Sequence, residues 1–307
     1  MSVLCQGKRI LITGALGFLG KALWLRLQRD NTIIPAGPYY DLMDYRTCRS
    51  ITYGVDYVFH FANRMGGIKY IVDNGPEVML NNSLANANLI KASVENKVKR
   101  FFFPSSFCVY RQTLQTGVGI HELAEDTDAI PADPDTYYGW EKIFTEKMLE
   151  AFSKKMQVRI ARFVSIYGPG NHYKGGKEKV IPALCRKVAE AKDGDEIEVF
   201  GDGTQIRSFC YVDDCLDAIT TIMEGDYNKP LNVDGPDSAT VSAITNMVIE
   251  ASGKQLKIKY VPTEVKGVDF RMASIFKIKH LLGWKPEIKL KEGIQKTYEW
   301  VEREIKK

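Results

Sequence analysis

Short apolar runs alternate with stretches of helical spacing along the first half of the chain. Residues 8–13 (KRILIT) form a β-branched and leucine run closed by a glycine, and residues 16–28 then repeat apolar side chains at helical spacing. Ile33-Ile34 and residues 55–62 (VDYVFHFA) predict two further strands. The pattern continues with a helix over 78–91, a strand over 100–103, a helix over Tyr137–Phe152 and a strand over 158–163 (VRIARF). Repetition of this kind predicts an α/β fold built on a doubly wound parallel sheet. Past Tyr167-Gly168-Pro169-Gly170 the elements shorten, and glycine and lysine become frequent. Residues 257–261 and 271–282 predict a smaller α+β region there. Residues 293–307 mix acids and bases on an amphipathic pattern, as a solvated packing helix does.

The 307 residues suffice for one large α/β unit or two modest domains. A hydrophobic share of 45% and a charged share of 26% are ordinary for a globular chain. The net charge of +4 is spread along the sequence, which argues against a dedicated nucleic-acid binder and suits an anionic small molecule. No apolar run reaches the ~18 residues of a membrane span, and no secretory pattern is read, so no membrane is expected as a partner. The six cysteines, Cys5, Cys48, Cys108, Cys185, Cys210 and Cys215, show neither a paired framework nor metal-ligand spacing. Reduced thiols in a cytoplasmic protein, and no metal site, are the expectation.

Glycines 14, 17 and 20 stand between the first predicted strand and the first helix, with Phe18 and Leu19 among them. Gly14 permits a tight turn, Gly17 lets backbone approach a pyrophosphate, and Gly20 allows close helix–strand packing. This is the loop of a dinucleotide-binding, Rossmann-type sheet. The acid that holds a ribose in such folds is absent: Ile34 is followed by Pro35-Ala36-Gly37-Pro38. NAD is expected as cofactor, and the loop leaves NADP open. Asp44 is a candidate for the adenine end or a helix cap.

Tyr138 and Lys142 are one helical turn apart, so they share a face. A cation beside a phenol favours phenolate, and Ser106 can hydrogen-bond the same substrate oxygen. The trio can take a proton from an alcohol while a hydride leaves for a nicotinamide. Cys108 by itself is more often a small buried hydrophobe, and Lys179 by itself a solvated lysine. Asp213-Asp214 and Cys215 diverge too much for a metal, and Asp214 is a helix-cap candidate. Arg207, in the turn Gly201–Arg207, and Arg271 are arginines suited to a diphosphate.

These residues resemble the extended short-chain dehydrogenase/reductase family, in its nucleotide-sugar epimerase branch, over nearly the whole chain. The stretches are residues 13–20 (TGALGFLG), Ser106, Tyr138 with Lys142, Tyr167-Gly168-Pro169, residues 201–209 (GDGTQIRSF) and Leu282-Gly283-Trp284-Lys285-Pro286. Met65-Gly66-Gly67, Ser105–Tyr110, residues 128–142, residues 174–179 (KGGKEK) and Cys185-Arg186-Lys187 are most similar to epimerases acting at carbons 3 and 5 of a GDP-hexose. The resemblance implies that Cys108 and Lys179 are an acid/base pair beyond the redox trio. It implies cofactor contacts at Ala62, Tyr138 and Lys142. It further implies substrate contacts at Met65, Gly66, Gly67, Ser165, Lys187, Gln205, Arg207 and Arg271. A dinucleotide-binding domain over 1–167, with 208–232 returning to it, and a substrate domain over 168–207 and 233–307 are expected. A homodimer is expected through the helices over 78–91 and 137–152, with Ile143, Phe144 and Phe152 as apolar surface. Arg64 and the short 35–40 loop are closer to the related epimerase/reductases. A 4,6-dehydratase is disfavoured by Phe107 and Cys108, which stand where that chemistry needs Asp-Glu. An epimerase/reductase of a GDP-4-keto-6-deoxyhexose, another GDP-sugar C4 oxidoreductase and a non-catalytic NAD(P) sensor are the other readings.

Overall fold

The computed structural model describes residues 6–117, 119–263 and 267–307, so Cys5 lies outside the described residues. The chain order begins β1 (Arg9–Thr13), α1 (Phe18–Leu27), β2 (Thr32–Ala36), α2 (Tyr45–Ile51), β3 (Tyr57–His60), α3 (Ile68–Asp73), α4 (Gly75–Glu95) and β4 (Arg100–Ser106). It continues with α5 (Tyr137–Phe152), β5 (Gln157–Phe163), β6 (Ser165–Tyr167), α6 (Val180–Glu190), β7 (Glu196–Phe200), β8 (Ile206–Tyr211), α7 (Val212–Glu224) and β9 (Leu231–Val233). The last elements are β10 (Ser238–Thr240), α8 (Val241–Ser252), β11 (Lys257–Val261), β12 (Phe270–Arg271), α9 (Phe276–Leu282) and α10 (Leu290–Ile305).

Six strands make one sheet in the order β2-β1-β3-β4-β5-β9, and every pair in it is parallel. Its strands are apolar on both faces because helices cover both, and separate clusters of buried side chains lie on the two sides. The strand order reverses between β1 and β3, which opens a crevice at their carboxyl ends. A second sheet runs β10-β8-β12 with β6 on β8, and β11 pairs β7. After β8 the chain returns to the main sheet through α7 and β9, and β9 pairs β5.

Two prolines mark where the pattern stops short of the structure. Pro35 lies inside β2, which is an edge strand, where a missing N–H is tolerated. Pro104 lies inside β4, which reaches Ser106 rather than Phe103. Beyond Phe102 β4 is paired with β5 alone, so a proline fits. The helix over 78–91 starts earlier, at Gly75, with proline in its first turn, and ends at Glu95. Asp214 is no cap: it sits inside the first turn of α7 and accepts from Glu287 N (3.1 Å) and Ile288 N (3.0 Å). The outward face of α5 also differs from expectation. Ile143 is buried and Phe152 packs on the core, while Phe144 and Trp140 are exposed.

Two buried polar systems hold α5 to the sheet. Arg162 on β5 grips Glu146 on α5 through Nη2–Oε2 (2.7 Å) and Nε–Oε1 (3.0 Å), and Ser105 Oγ on β4 donates to Glu146 Oε1 at 2.5 Å. Separately, Thr13 Oγ1 meets His60 Nδ1 (2.7 Å), and His60 Nε2 meets Asn86 Oδ1 (2.8 Å). Asn86 Nδ2 then donates to Glu141 Oε1 (2.5 Å) and Thr145 Oγ1 (3.0 Å). With Asn86 oxygen as acceptor, the neutral ring carries its proton on Nε2 and accepts from Thr13 on Nδ1. This line runs from the glycine turn to α5.

Glu146→Ala leaves the buried Arg162 without a carboxylate, with only the Tyr110 hydroxyl and the Glu125 carbonyl to accept from it, and a loss of roughly 3–5 kcal/mol is expected in urea unfolding. Glu146→Leu with Arg162→Met recovers most of it. Equal loss in the single and double variants contradicts this. A second expectation concerns acid. Burial lowers His60 from 6.5 to about 4. Between those values the unfolded chain binds more protons, so stability falls as pH drops through that window. At 1.36 kcal/mol per unit this one group accounts for roughly 3 kcal/mol. Melting midpoints of wild type and His60→Gln across the interval check it, and parallel slopes contradict it.

Candidate active site

The carboxyl end of β1 carries the glycine turn. Gly14 has a φ of 65°, and a Cβ there would stand 2.7 Å from Ala62 N. A Cβ on Gly20 would fall 2.2 Å from Gly14 O. Helix α1 opens at Gly17 with no side-chain cap and no acid in its first turn. No side chain of the chain itself thus competes for the N–H groups of Phe18 and Leu19, which suits them to an anion. This cradle, which any side chain would fill, fits a dinucleotide pyrophosphate. Asp44 caps α2, accepting from Arg46 N (3.1 Å) and Thr47 N (3.1 Å), and its exposed carboxylate keeps lone pairs to spare.

Ser106 ends β4, and the chain turns at once into a short 3-10 segment, Phe107–Val109. Strand alternation, which would put residues 106 and 108 on one side of an extended segment, therefore does not operate here. A turn does it instead, and Ser106 Oγ accepts from Cys108 N at 3.2 Å. Helix α5 lands on this turn. Thr136 caps it by accepting from Gly139 N (3.3 Å). A Cβ on Gly139 would sit 2.1 Å from Cys108 O, so only glycine lets the first turn of α5 come this close. Tyr138 and Cys108 consequently share one small apolar cluster with Met65 and Tyr70.

The electrostatics differ in one respect from the sequence expectation. Burial raises the Tyr138 phenol well above 10, with the Cys108 sulfur next in effect, and hydrogen bonds from Asn63 and Ser106 only partly offset this. Asn63 Nδ2 lies 3.4 Å from Tyr138 Oη. Lys142 Nζ stands over the Tyr138 ring, 5.4 Å from its centre, and over Phe103 at 4.4 Å. It is itself buried, and burial lowers its ammonium.

Lys179 sits at the N-terminal boundary of α6. Burial lowers its ammonium as well, and the Cys108 sulfur works against that. Arg271 on β12 reaches the same sulfur. Its Nη1 donates to Cys108 Sγ (3.1 Å), Nη2 to Asp135 Oδ2 (2.6 Å) and Nε to Gln115 Oε1 (2.7 Å). Arg207 lies beside Arg271 and spends its donors on Ile206 O (2.8 Å), Val268 O (2.6 Å) and Asp269 O (3.3 Å). Burial and the neighbouring Arg271 bring it down to about 10.

The Met65-Gly66-Gly67 stretch packs against the segment before Lys179: Gly67 N donates to Lys177 O at 3.2 Å. Ser165 opens β6, half-buried. Lys187 donates to Glu198 O (2.7 Å) and covers Phe200, and Gln205 Nε2 reaches Asp202 Oδ1 (3.3 Å), both in the second half of the chain. Sequence reasoning missed Asn63, Gln115 and Asp135. Asp135 stands directly before the Thr136 cap, but no spacing distinguishes it. Among the described residues no group of His, Cys, Asp and Glu could hold a metal ion.

Residues 10–233 match the NAD dependent epimerase/dehydratase family. GDP-mannose 3,5-epimerase 1 of Oryza sativa subsp. japonica is 35% identical over 320 residues, covering 97% of this chain and 83% of that protein. GDP-mannose 3,5-epimerase of Arabidopsis thaliana is also 35% identical, covering 98% and 84%. A GDP-6-OMe-4-keto-L-xylo-heptose reductase from C. jejuni superposes with a TM-score of 0.88 at 22% identity, over 99% of this chain and 100% of that one, which speaks to the fold. The glycine cradle, the Ser106–Tyr138–Lys142 set and the near full-length likeness make this chain a member of the NAD-dependent epimerase/dehydratase family.

Proposed function

We propose that the protein is an epimerase of GDP-mannose at carbons 3 and 5, working through a transient 4-keto sugar. The observation that carries this reading is the place of Cys108: one sulfur close enough to act electrostatically on Tyr138, Lys142, Lys179 and Arg271. A plain oxidoreductase needs the phenol and the lysine, and has no use for a thiol and a second lysine flanking them.

Gly14, Gly17, Phe18, Leu19, Gly20, Asp44 and Ala62 would hold the dinucleotide, and Tyr138 and Lys142 its nicotinamide end. A bound NAD supplies reversible hydride acceptance and a positive charge that helps offset the burial of the phenol. Tyr138 takes the proton of the C4 hydroxyl, Ser106 orients that oxygen, and Lys142 supports the phenolate. The C4 ketone acidifies the hydrogens on C3 and C5. Cys108, its sulfur held by Arg271, removes a proton from one face, and Lys179 returns one to the other. Tyr138 finally gives its proton back to the C4 oxygen. Arg207 and Arg271 form the positive end of the cleft for the anionic nucleotide, with Met65, Gly66, Gly67, Ser165, Lys187 and Gln205 around the sugar nucleotide.

The domain division at 167, with 208–232 returning, accords with this use. The described cysteines are free thiols, which suits a reducing, cytoplasmic compartment. A homodimer is proposed through α4 and α5. Leu80 and Leu84 on α4, and Trp140 and Phe144 on α5, are exposed at i, i+4 spacing.

Incubation with GDP-mannose in D2O should place deuterium at C3 and C5, read by NMR. Tyr138→Phe should lose all exchange, and Cys108→Ala should lose it by about a hundredfold or more while NAD still binds. Lys179→Ala should lose inversion. Near wild-type epimerisation by Cys108→Ala removes the assignment and leaves the oxidoreductase reading. For the dimer, Phe144→Asp with Leu84→Asp should halve the mass seen by light scattering at micromolar concentration, and a wild-type monomer contradicts the assembly.

A further inference from the structure

Buried oxygens without a protein partner are uneven in this molecule. Among the described residues they include Asn63 Oδ1 and Asp135 Oδ1. Asn63 bonds Tyr138 and Asp135 bonds Arg271, so both stand beside the site. Both are acceptors, which an occupant of the cleft that brings donors would meet. A sugar ring with several hydroxyls is such an occupant. Asp135 is the sharpest case. Its side chain is 7% exposed, and its Oδ2 is fixed at 2.6 Å by Arg271 Nη2. The same guanidinium holds Cys108 Sγ through Nη1 at 3.1 Å. Asp135 Oδ1 therefore stands one guanidinium away from the Cys108 sulfur, without a hydrogen-bond partner.

We propose that Asp135 is a specificity-determining residue that accepts a hydrogen bond from a hexose hydroxyl through Oδ1, while Oδ2 keeps Arg271 on Cys108. This rests on the GDP-hexose reading above. The bond is worth most for a sugar that keeps its hydroxyls. A deoxy sugar leaves a buried carboxylate oxygen unmet, which penalises it more than loss of one contact.

The test uses the NAD-loaded full chain and calorimetric binding of GDP-mannose and its 2-deoxy, 3-deoxy and 6-deoxy forms. Wild type should bind one deoxy form about tenfold or more weakly than GDP-mannose. Asp135→Asn and Asp135→Ser should bring that ratio to within about twofold, with NAD affinity unchanged. Deoxy penalties of equal size in wild type and both variants overturn the inference, because Asp135 then serves only Arg271 or an ordered water. Absence of any GDP-mannose binding by wild type overturns it together with the GDP-hexose reading, whereas binding with no coupling to Asp135 overturns the inference alone.

Discussion

Everything at the site depends on how α5 lies against the end of β4. The helix carries Tyr138 and Lys142, and the strand and its turn carry Ser106 and Cys108. Two fasteners set the register. At the mouth, Gly139 lets the helix touch the Cys108 carbonyl. Two turns deeper, Glu146 is held by Arg162 from β5 and by Ser105 from β4. The ion pair costs desolvation of both charges, which its bidentate geometry and the added hydroxyl offset. What the arrangement secures is position: Ser105 is bonded to the helix, so its neighbour Ser106 cannot shift without straining a buried network.

That placement concentrates positive charge on one thiol. The Cys108 sulfur acts on Lys142, Lys179 and Arg271, and Arg207 lies beside them. Burial works against each of these cations, and Asp135 and Glu141 are the buried acids near them. The surplus favours an anionic occupant of the cleft, such as a diphosphate. The raised phenol of Tyr138 is the counterpart: in the same dry pocket a neutral acid is favoured over its anion until positive charge arrives beside it.

Much of this was legible in the sequence because it is local. The glycine turn, the strands of the parallel sheet and the helix Tyr137–Phe152 follow from patterns within a few residues of one another. The parts that were not legible are tertiary. Pro104 hid the end of β4, since whether a proline is tolerated depends on which neighbours that strand has. Helix α5 has apolar residues on more than one side, so its sequence does not say that Ile143 faces in and Phe144 out. Asp214 reads as a cap locally, yet bonds backbone more than seventy residues away. Asn63, Gln115 and Asp135 owe their roles to partners far along the chain.

The Met65-Gly66-Gly67 stretch shows the same coupling between distant segments. Gly67 donates to Lys177 O, and a Cβ on it would stand 2.8 Å from Glu178 O. Lys177 in turn lies over Tyr70 at 4.9 Å. The stretch thus braces the residues immediately before Lys179, while Met65 packs beside Tyr138 and Cys108. Gly67 serves that backbone contact, and Gly66 makes room for the Tyr70 side chain, 2.9 Å from where its Cβ would stand. In the proposed reaction Lys179 returns a proton to the face of the sugar opposite the thiol, and that role needs a fixed approach. The loop holding Lys179 has glycines at 175 and 176 and little regular structure of its own, so that fixity has to come from outside it. The crevice strand supplies it, through a loop that also touches the thiol's own cluster.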